Sequence, residues 1–114
     1  MSVRLVESQR LRRGHDFYPP AVLRAAVPPL YGTEDTPAAD KVAHLHYFIG
    51  AADWWLVEAD WTTGNAFGFC DLGHGGEWGY VYLPELESVA AGPLGDVVER
   101  DLHWSPVPFG QIAR

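Results

Sequence analysis

From residue 43 to residue 83 the apolar side chains recur at nearly every second position, and that period most limits the folds open to this chain. Residues 43–49 place Leu45, Tyr47 and Ile49 on one face and His44, His46 and Phe48 on the other. Residues 54–62 alternate in the same way, with Trp55, Val57, Ala59 and Trp61 opposed to Trp54, Leu56, Glu58 and Asp60. The turn Thr63-Gly64-Asn65 leads to a third strand over 66–72, and the glycine-rich Gly73-His74-Gly75-Gly76 to a fourth over 77–83. Connections this short join antiparallel neighbours, because a parallel crossover needs a dozen or more residues. Two short helices accompany the strands. Pro19-Pro20 opens the first and Pro28-Pro29 stops it, while Pro84 opens the second, which runs to about Val89. Residues 97–104 read as a last strand and 105–108 as an extended tail. The expected fold class is therefore α+β: an antiparallel β-meander of about four to five strands with two short helices packed against it.

Matching the apolar faces of the first two strands sets Tyr47 opposite Val57. The same register sets His46 opposite Glu58 and His44 opposite Asp60. Two imidazoles and two carboxylates in one patch have the ligand chemistry of zinc or another divalent metal. This supports one functional alternative, a metal-assisted hydrolase using His44, His46, Glu58 and Asp60. Two histidines at alternate strand positions supply only two ligands, so the patch is read instead as two cross-strand charge pairs, with no metal and no cofactor.

Charge directs the other reading. The formal net charge is −7, unevenly spread. Residues 1–24 carry five arginines against two acids, and residues 25–114 carry thirteen acids against three cations. We divide the chain into a basic N-terminal appendage, 1–16, and an α+β domain, 17–114. A body this acidic repels nucleic-acid phosphates and attracts a protein with a basic surface. Direct nucleic-acid binding would fall to Arg10, Arg12 and Arg13, and is the third reading. The aromatic residues are concentrated between positions 47 and 82, and tryptophan and tyrosine serve as anchors at protein interfaces. The expected binding residues are Glu34, Asp35, Trp54, Trp78, Tyr80, Glu85 and Glu87.

Other features carry less. The loop Gly73–Glu77 lacks the Lys-Ser/Thr ending of a phosphate-binding loop. Arg100 is expected to pair structurally with Asp101 or Glu85. Cys70 is the only cysteine, which excludes an intrachain disulfide and a cysteine-rich zinc site, and it reads as a packing residue rather than a nucleophile served by His74. Val3 and Leu5 alternate with Arg4, as in a short edge strand. No apolar run approaches the roughly 18 residues of a membrane span, and no apolar core follows the basic N-terminus, so a cytoplasmic location is expected.

Three stretches resemble one bacterial family: Pro28-Pro29-Leu30-Tyr31-Gly32-Thr33-Glu34-Asp35, then Glu77-Trp78-Gly79-Tyr80-Val81-Tyr82-Leu83-Pro84-Glu85-Leu86-Glu87-Ser88, then Val98-Glu99-Arg100-Asp101-Leu102-His103-Trp104. Taken together, over residues 18–108, they resemble the family catalogued as domain of unknown function 2958. The resemblance implies a small cytoplasmic bacterial protein of the kind carried on plasmids, phages and integrated elements. It implies no catalytic residue. Combined with the charge, it leads to the expectation of a non-enzymatic protein-binding module from a mobile element, in one version an anti-CRISPR-like inhibitor of a host defence complex.

Overall fold

Proline spacing and strand alternation account for most of the elements in the computed structural model, which describes residues 5–114. A single helical turn, α1 (Arg10–Arg13), precedes α2 (Ala21–Ala26), which follows Pro20 and ends before Pro28. The chain continues through a 3-10 turn at Ala38–Asp40 into β1 (Val42–Ala43), β2 (Leu45–Ile49), β3 (Ala52–Asp60), β4 (Asn65–Asp71) and β5 (Gly76–Tyr82). Helix α3 (Leu83–Glu87) has proline in its first turn. Four two-residue strands follow: β6 (Ala90–Ala91), β7 (Asp96–Val97), β8 (Glu99–Arg100) and β9 (Val107–Pro108). The main sheet has five antiparallel strands in the order β5-β4-β3-β2-β8, so β2 to β5 form the expected meander and β8 adds to its far edge. The alternation of Val3 and Leu5 falls mostly outside the described residues, and Leu5 itself is not in a strand.

The register between the first two strands differs from the expected one. Tyr47 lies opposite Trp54 rather than Val57, His46 opposite Trp55, and Leu45 opposite Leu56. The hairpin closes with Ile49 opposite Ala52 and only Gly50 and Ala51 between them, and this short turn sets the register. Further along β3 a β-bulge, where the pairing with β4 shifts between Leu56 and Glu58 and leaves Val57 as the extra residue, accounts for the misread alternation. The bulge inverts the alternation along β3. Before it, even-numbered Trp54 and Leu56 face the same side as Tyr47; after it, odd-numbered Ala59 and Trp61 do. A sequence reading that keeps one period through all of 54–62 therefore places Trp55 and Val57 on the wrong side.

Both faces of the sheet are covered. On the first, Leu45, Tyr47, Leu56, Ala59 and Ala66 pack with Phe17, Tyr18, Val27, Leu83, Leu86 and Val98. On the second, Ala43, Trp55 and Phe109 form a smaller aromatic layer with Phe69, Trp78, Trp104 and Ile112. Each large apolar side chain fully buried contributes roughly 1.5–3 kcal/mol. Helix α3 reaches the first core through Leu83 and Leu86, whereas α2 buries none of its residues and leaves Val22 exposed. The C-terminal segment, with Phe109 opening a 3-10 turn, covers the second face in place of α2 or α3. It does so because β9 pairs with β1, holding Phe109 against Trp55 and Phe69.

Gly68 makes the centre of the sheet possible. A Cβ there would stand 2.1 Å from the Trp55 carbonyl oxygen, so only glycine lets β3 and β4 close on each other beside the bulge.

Candidate functional site

The bulge and the register disperse the four residues of the hydrolase alternative. Glu58 is buried, and its carboxylate accepts from the backbone N–H groups of Tyr31 at 2.8 Å and Thr33 at 3.1 Å, and from the Thr33 hydroxyl. It anchors the loop 30–37, where Tyr31 adopts a φ of 67°, a left-handed value uncommon for a side chain of this size. Asp60 closes the β3–β4 turn, accepting from the Thr62 N–H and hydroxyl at 2.9 and 2.6 Å and from the Thr63 N–H at 3.3 Å. Those hydrogen bonds, from Thr62 first, hold its carboxyl below its ordinary value. His44 lies between β1 and β2, and burial lowers its imidazole. Neither expected pairing, His46 with Glu58 or His44 with Asp60, is formed. Among the described residues no group of three or more His, Cys, Asp or Glu side chains is placed to hold a metal ion.

His46 is instead clasped by two other carboxylates. Its Nε2 lies 2.8 Å from Asp53 and its Nδ1 lies 2.9 Å from Asp101, while its ring stacks on Trp55 at 5.3 Å with an interplanar angle of 11°. Burial pushes the Asp101 carboxyl up, but the hydrogen bonds from His46 and the His103 backbone outweigh it and hold the group below its ordinary value. Both ring nitrogens face carboxylate oxygens at hydrogen-bond distance, so neither is open to a substrate. The arrangement ties the segment after β8 to β2 and β3, with Trp104 against the same imidazole. Asp101 is 55 positions from His46, beyond the reach of any local pattern, whereas Asp53 is only seven away and is brought to it by the β2–β3 register that the alternation misplaces.

The expected binding residues fall into two groups. Glu87 belongs to the interior. It is 2% exposed and accepts from the Ser8 and Gln9 backbone N–H groups, both at 2.9 Å, and from the Arg13 guanidinium at 3.1 Å. Burial pushes its carboxyl up, and these hydrogen bonds more than reverse that. Arg13 in turn donates to Glu7 and to the carbonyl oxygens of Val98 and Glu87. The segment read as an appendage is thus tied to the body through a buried arginine. Arg10 pairs with Asp16 and Arg12 donates to the Leu94 carbonyl. Arg100 donates to the Asp16 carbonyl oxygen at 3.1 Å, not to Asp101 or Glu85.

The others gather around β5. Trp54, Trp78, Tyr80 and Glu85 line one groove of about 510 Å³, together with Glu77, Val81, Leu86 and Val89. Gly79 forms part of its lining, and a Cβ there would meet nothing within 4 Å. Glu34 and Asp35 are exposed on the loop that Glu58 anchors, and Tyr31 of that loop approaches Tyr80 with ring centroids 6.3 Å apart. On the opposite side of the sheet the Phe67 and Trp78 rings stack at 17°. Glu77 and Tyr82 were missed in the sequence, although Glu77 alternates with Gly79 and Val81 on one face of β5. Cys70 also reaches the groove; burial, Asp71 and Glu77 push its thiol up, the reverse of what a nucleophile requires.

A family model described as a protein of unknown function (DUF2958) matches residues 30–109. The chain belongs to this family. No curated protein and no solved structure matches the chain. Among the described residues no helix is long and apolar enough to cross a membrane.

Proposed function

We propose that this member of the DUF2958 family is a protein-binding module without catalytic activity of its own, and that it engages a basic protein surface through the groove beside β5. The observation that carries this reading is that Trp54, Glu77 and Glu85 converge on one groove whose wall, β5, carries the Trp78 and Tyr80 rings on its other face. Aromatic side chains supply short-range anchoring, and the surrounding acids supply the field. The body's few cations do little to offset that field. Lys41 is buried and donates to Thr33, and Arg114 lies over the Phe69 and Phe109 rings on the other side of the sheet. The engaged nitrogens of His46 and the separate tasks of Glu58 and Asp60 weigh against the hydrolase alternative. A host-defence complex is one partner with the required basic surface. That version draws on the charge and the family resemblance.

The test places a photo-crosslinking residue at Tyr80 in the full chain, expressed in its native host. The expected result is capture of a defined protein, lost when Glu77 and Glu85 are both replaced by lysine, and absent when the probe is moved to Leu11. Association should slow as salt rises, since the Debye length falls from about 30 Å at 0.01 M to about 10 Å at 0.1 M. Tight low-salt binding of DNA or RNA, abolished by Arg10→Ala with Arg12→Ala, would replace the protein partner with a nucleic acid.

A further inference from the structure

The outer edge of β5 is the longer of the two edges of the main sheet. β5 is seven residues long and pairs with β4 along its whole length, from Asn65 opposite Tyr82 to Asp71 opposite Gly76. Among the described residues nothing pairs with its other side. Alternate residues of an edge strand direct their N–H and C=O groups outward, and proteins ordinarily protect such an edge with lysine, proline, a bulge or a covering segment. β5 has none of these: it reads Gly-Glu-Trp-Gly-Tyr-Val-Tyr, in unbroken register with β4. At the far edge of the sheet, β8 is only two residues long.

The two sides of this edge differ in chemistry. Glu77, Gly79 and Val81 point towards the groove, which also holds Glu85, Leu86 and Val89 and, among the described residues, no lysine or arginine. Trp78, Tyr80 and Tyr82 point to the opposite face, where Tyr80 is 60% and Tyr82 is 44% exposed. We infer that β5 accepts an extended segment of the partner protein as a sixth strand, with basic residues on the groove side alternating with apolar or aromatic residues on the other. The inference rests on the protein-binding reading above and specifies its mode. Main-chain hydrogen bonds supply the attachment and alternate side chains the selectivity. A lysine or arginine on the groove side reaches Glu77 and Glu85 with its charged end and lays its aliphatic stem along Val81, Leu86 and Val89. Its neighbours in the added strand meet Trp78, Tyr80 and Tyr82. A second copy of this chain is the less suitable occupant, because it would bring its own Glu77 and Glu85 to the same edge and a net charge of −7 to the encounter.

The experiment uses the full chain, amide hydrogen exchange resolved by residue, and a set of eight-residue peptides alternating lysine or arginine with valine, leucine or tyrosine. The expected result is that at least one peptide slows exchange of alternate β5 amides by tenfold or more, while glutamate-for-lysine versions do not. Gly79→Arg places a cationic side chain in open groove space, at a position whose φ is not left-handed. It should weaken peptide binding at least tenfold while the remaining amides keep their protection. Glu77→Lys with Glu85→Lys, both at exposed positions, should do the same. Three outcomes overturn the inference: no peptide binds at low salt; a peptide binds without protecting β5; or β5 becomes protected with protein concentration alone, which would make the occupant a second copy. Capture of a protein at Tyr80 combined with unprotected β5 amides would remove strand addition and leave the protein-binding reading standing.

Discussion

Arg13 and Glu87 are 74 positions apart in the chain and meet at 3.1 Å, the arginine side chain fully buried and the glutamate side chain 2% exposed. The pair draws Ser8 and Gln9 onto the end of α3, since the same carboxylate accepts from both of their backbone N–H groups. Desolvating two ions is costly, and here every guanidinium nitrogen has a partner, among them the Val98 and Glu87 carbonyls. The pair acts as the fastening between the N-terminal segment and the sheet.

Breaking that fastening leaves a buried charge alone. Glu87→Ala should destabilise the protein by about 3–5 kcal/mol in urea or guanidinium unfolding. Removing both charges by Arg13→Met with Glu87→Leu should cost less than the sum of the single changes. Full additivity in the double-mutant cycle would show that the two residues act independently.

Acid should act on the same fastening and on the His46 clasp. The Glu87 and Asp101 carboxyls are both held below their ordinary values of 4.5 and 3.8. Each therefore contributes stability that is present above those values and is lost as pH falls below them, since the unfolded chain then takes up the proton more readily. Unfolding measured between pH 7 and pH 3 should show a decline beginning near pH 4.5, shallower in Asp101→Asn. An unchanged profile in that variant would remove Asp101 from the acid response.

The clasp itself should be worth about 1.5–3 kcal/mol for each charged hydrogen bond. Asp101→Asn should therefore lower unfolding stability by about that amount and loosen the segment after β8. Faster amide exchange at His103 and Trp104, with β4 and β5 unchanged, is the expected pattern.

Glycine positions in the sheet should respond oppositely. Gly68→Ala drives a methyl group into the Trp55 carbonyl and should cost about 3 kcal/mol or more. Gly79→Ala adds its methyl to open space and should change stability by less than about 0.5 kcal/mol, as surface substitutions commonly do. Thermal unfolding of the two variants decides the matter.

Glu58 should control the loop that carries Glu34 and Asp35. In Glu58→Gln the Tyr31 and Thr33 amides lose a carboxylate acceptor, and Tyr31 has less reason to keep its left-handed φ. Proteolytic cleavage within 30–37 should accelerate, with the sheet intact.

The α+β meander was legible in the sequence because its evidence is local. Alternation over 43–83, the turn residues at 63–65 and the prolines at 19–20, 28–29 and 84 act within a few residues of one another, and they recur as β2 to β5, α2 and α3. The groove was legible in part: Trp54, Trp78, Tyr80 and Glu85 stand out by residue type alone. The bulge at Val57 was not legible, since an extra residue in one strand is defined only by its partner strand. One inserted residue reverses the faces along a strand, so an alternation read straight through 54–62 mismatches β2 and β3; the actual register sets His46 opposite Trp55, between Asp53 and Asp101 and away from Glu58. The roles of Glu87 and Arg13 were hidden for the same kind of reason. Nothing within either neighbourhood distinguishes a surface acid or a basic tail from two halves of a buried ion pair. The sequence by itself determined the period, the turns, the charge and the family; tertiary structure alone decided which charges were spent holding the fold and which remain at its edge, because that depends on contacts between segments far apart in the chain.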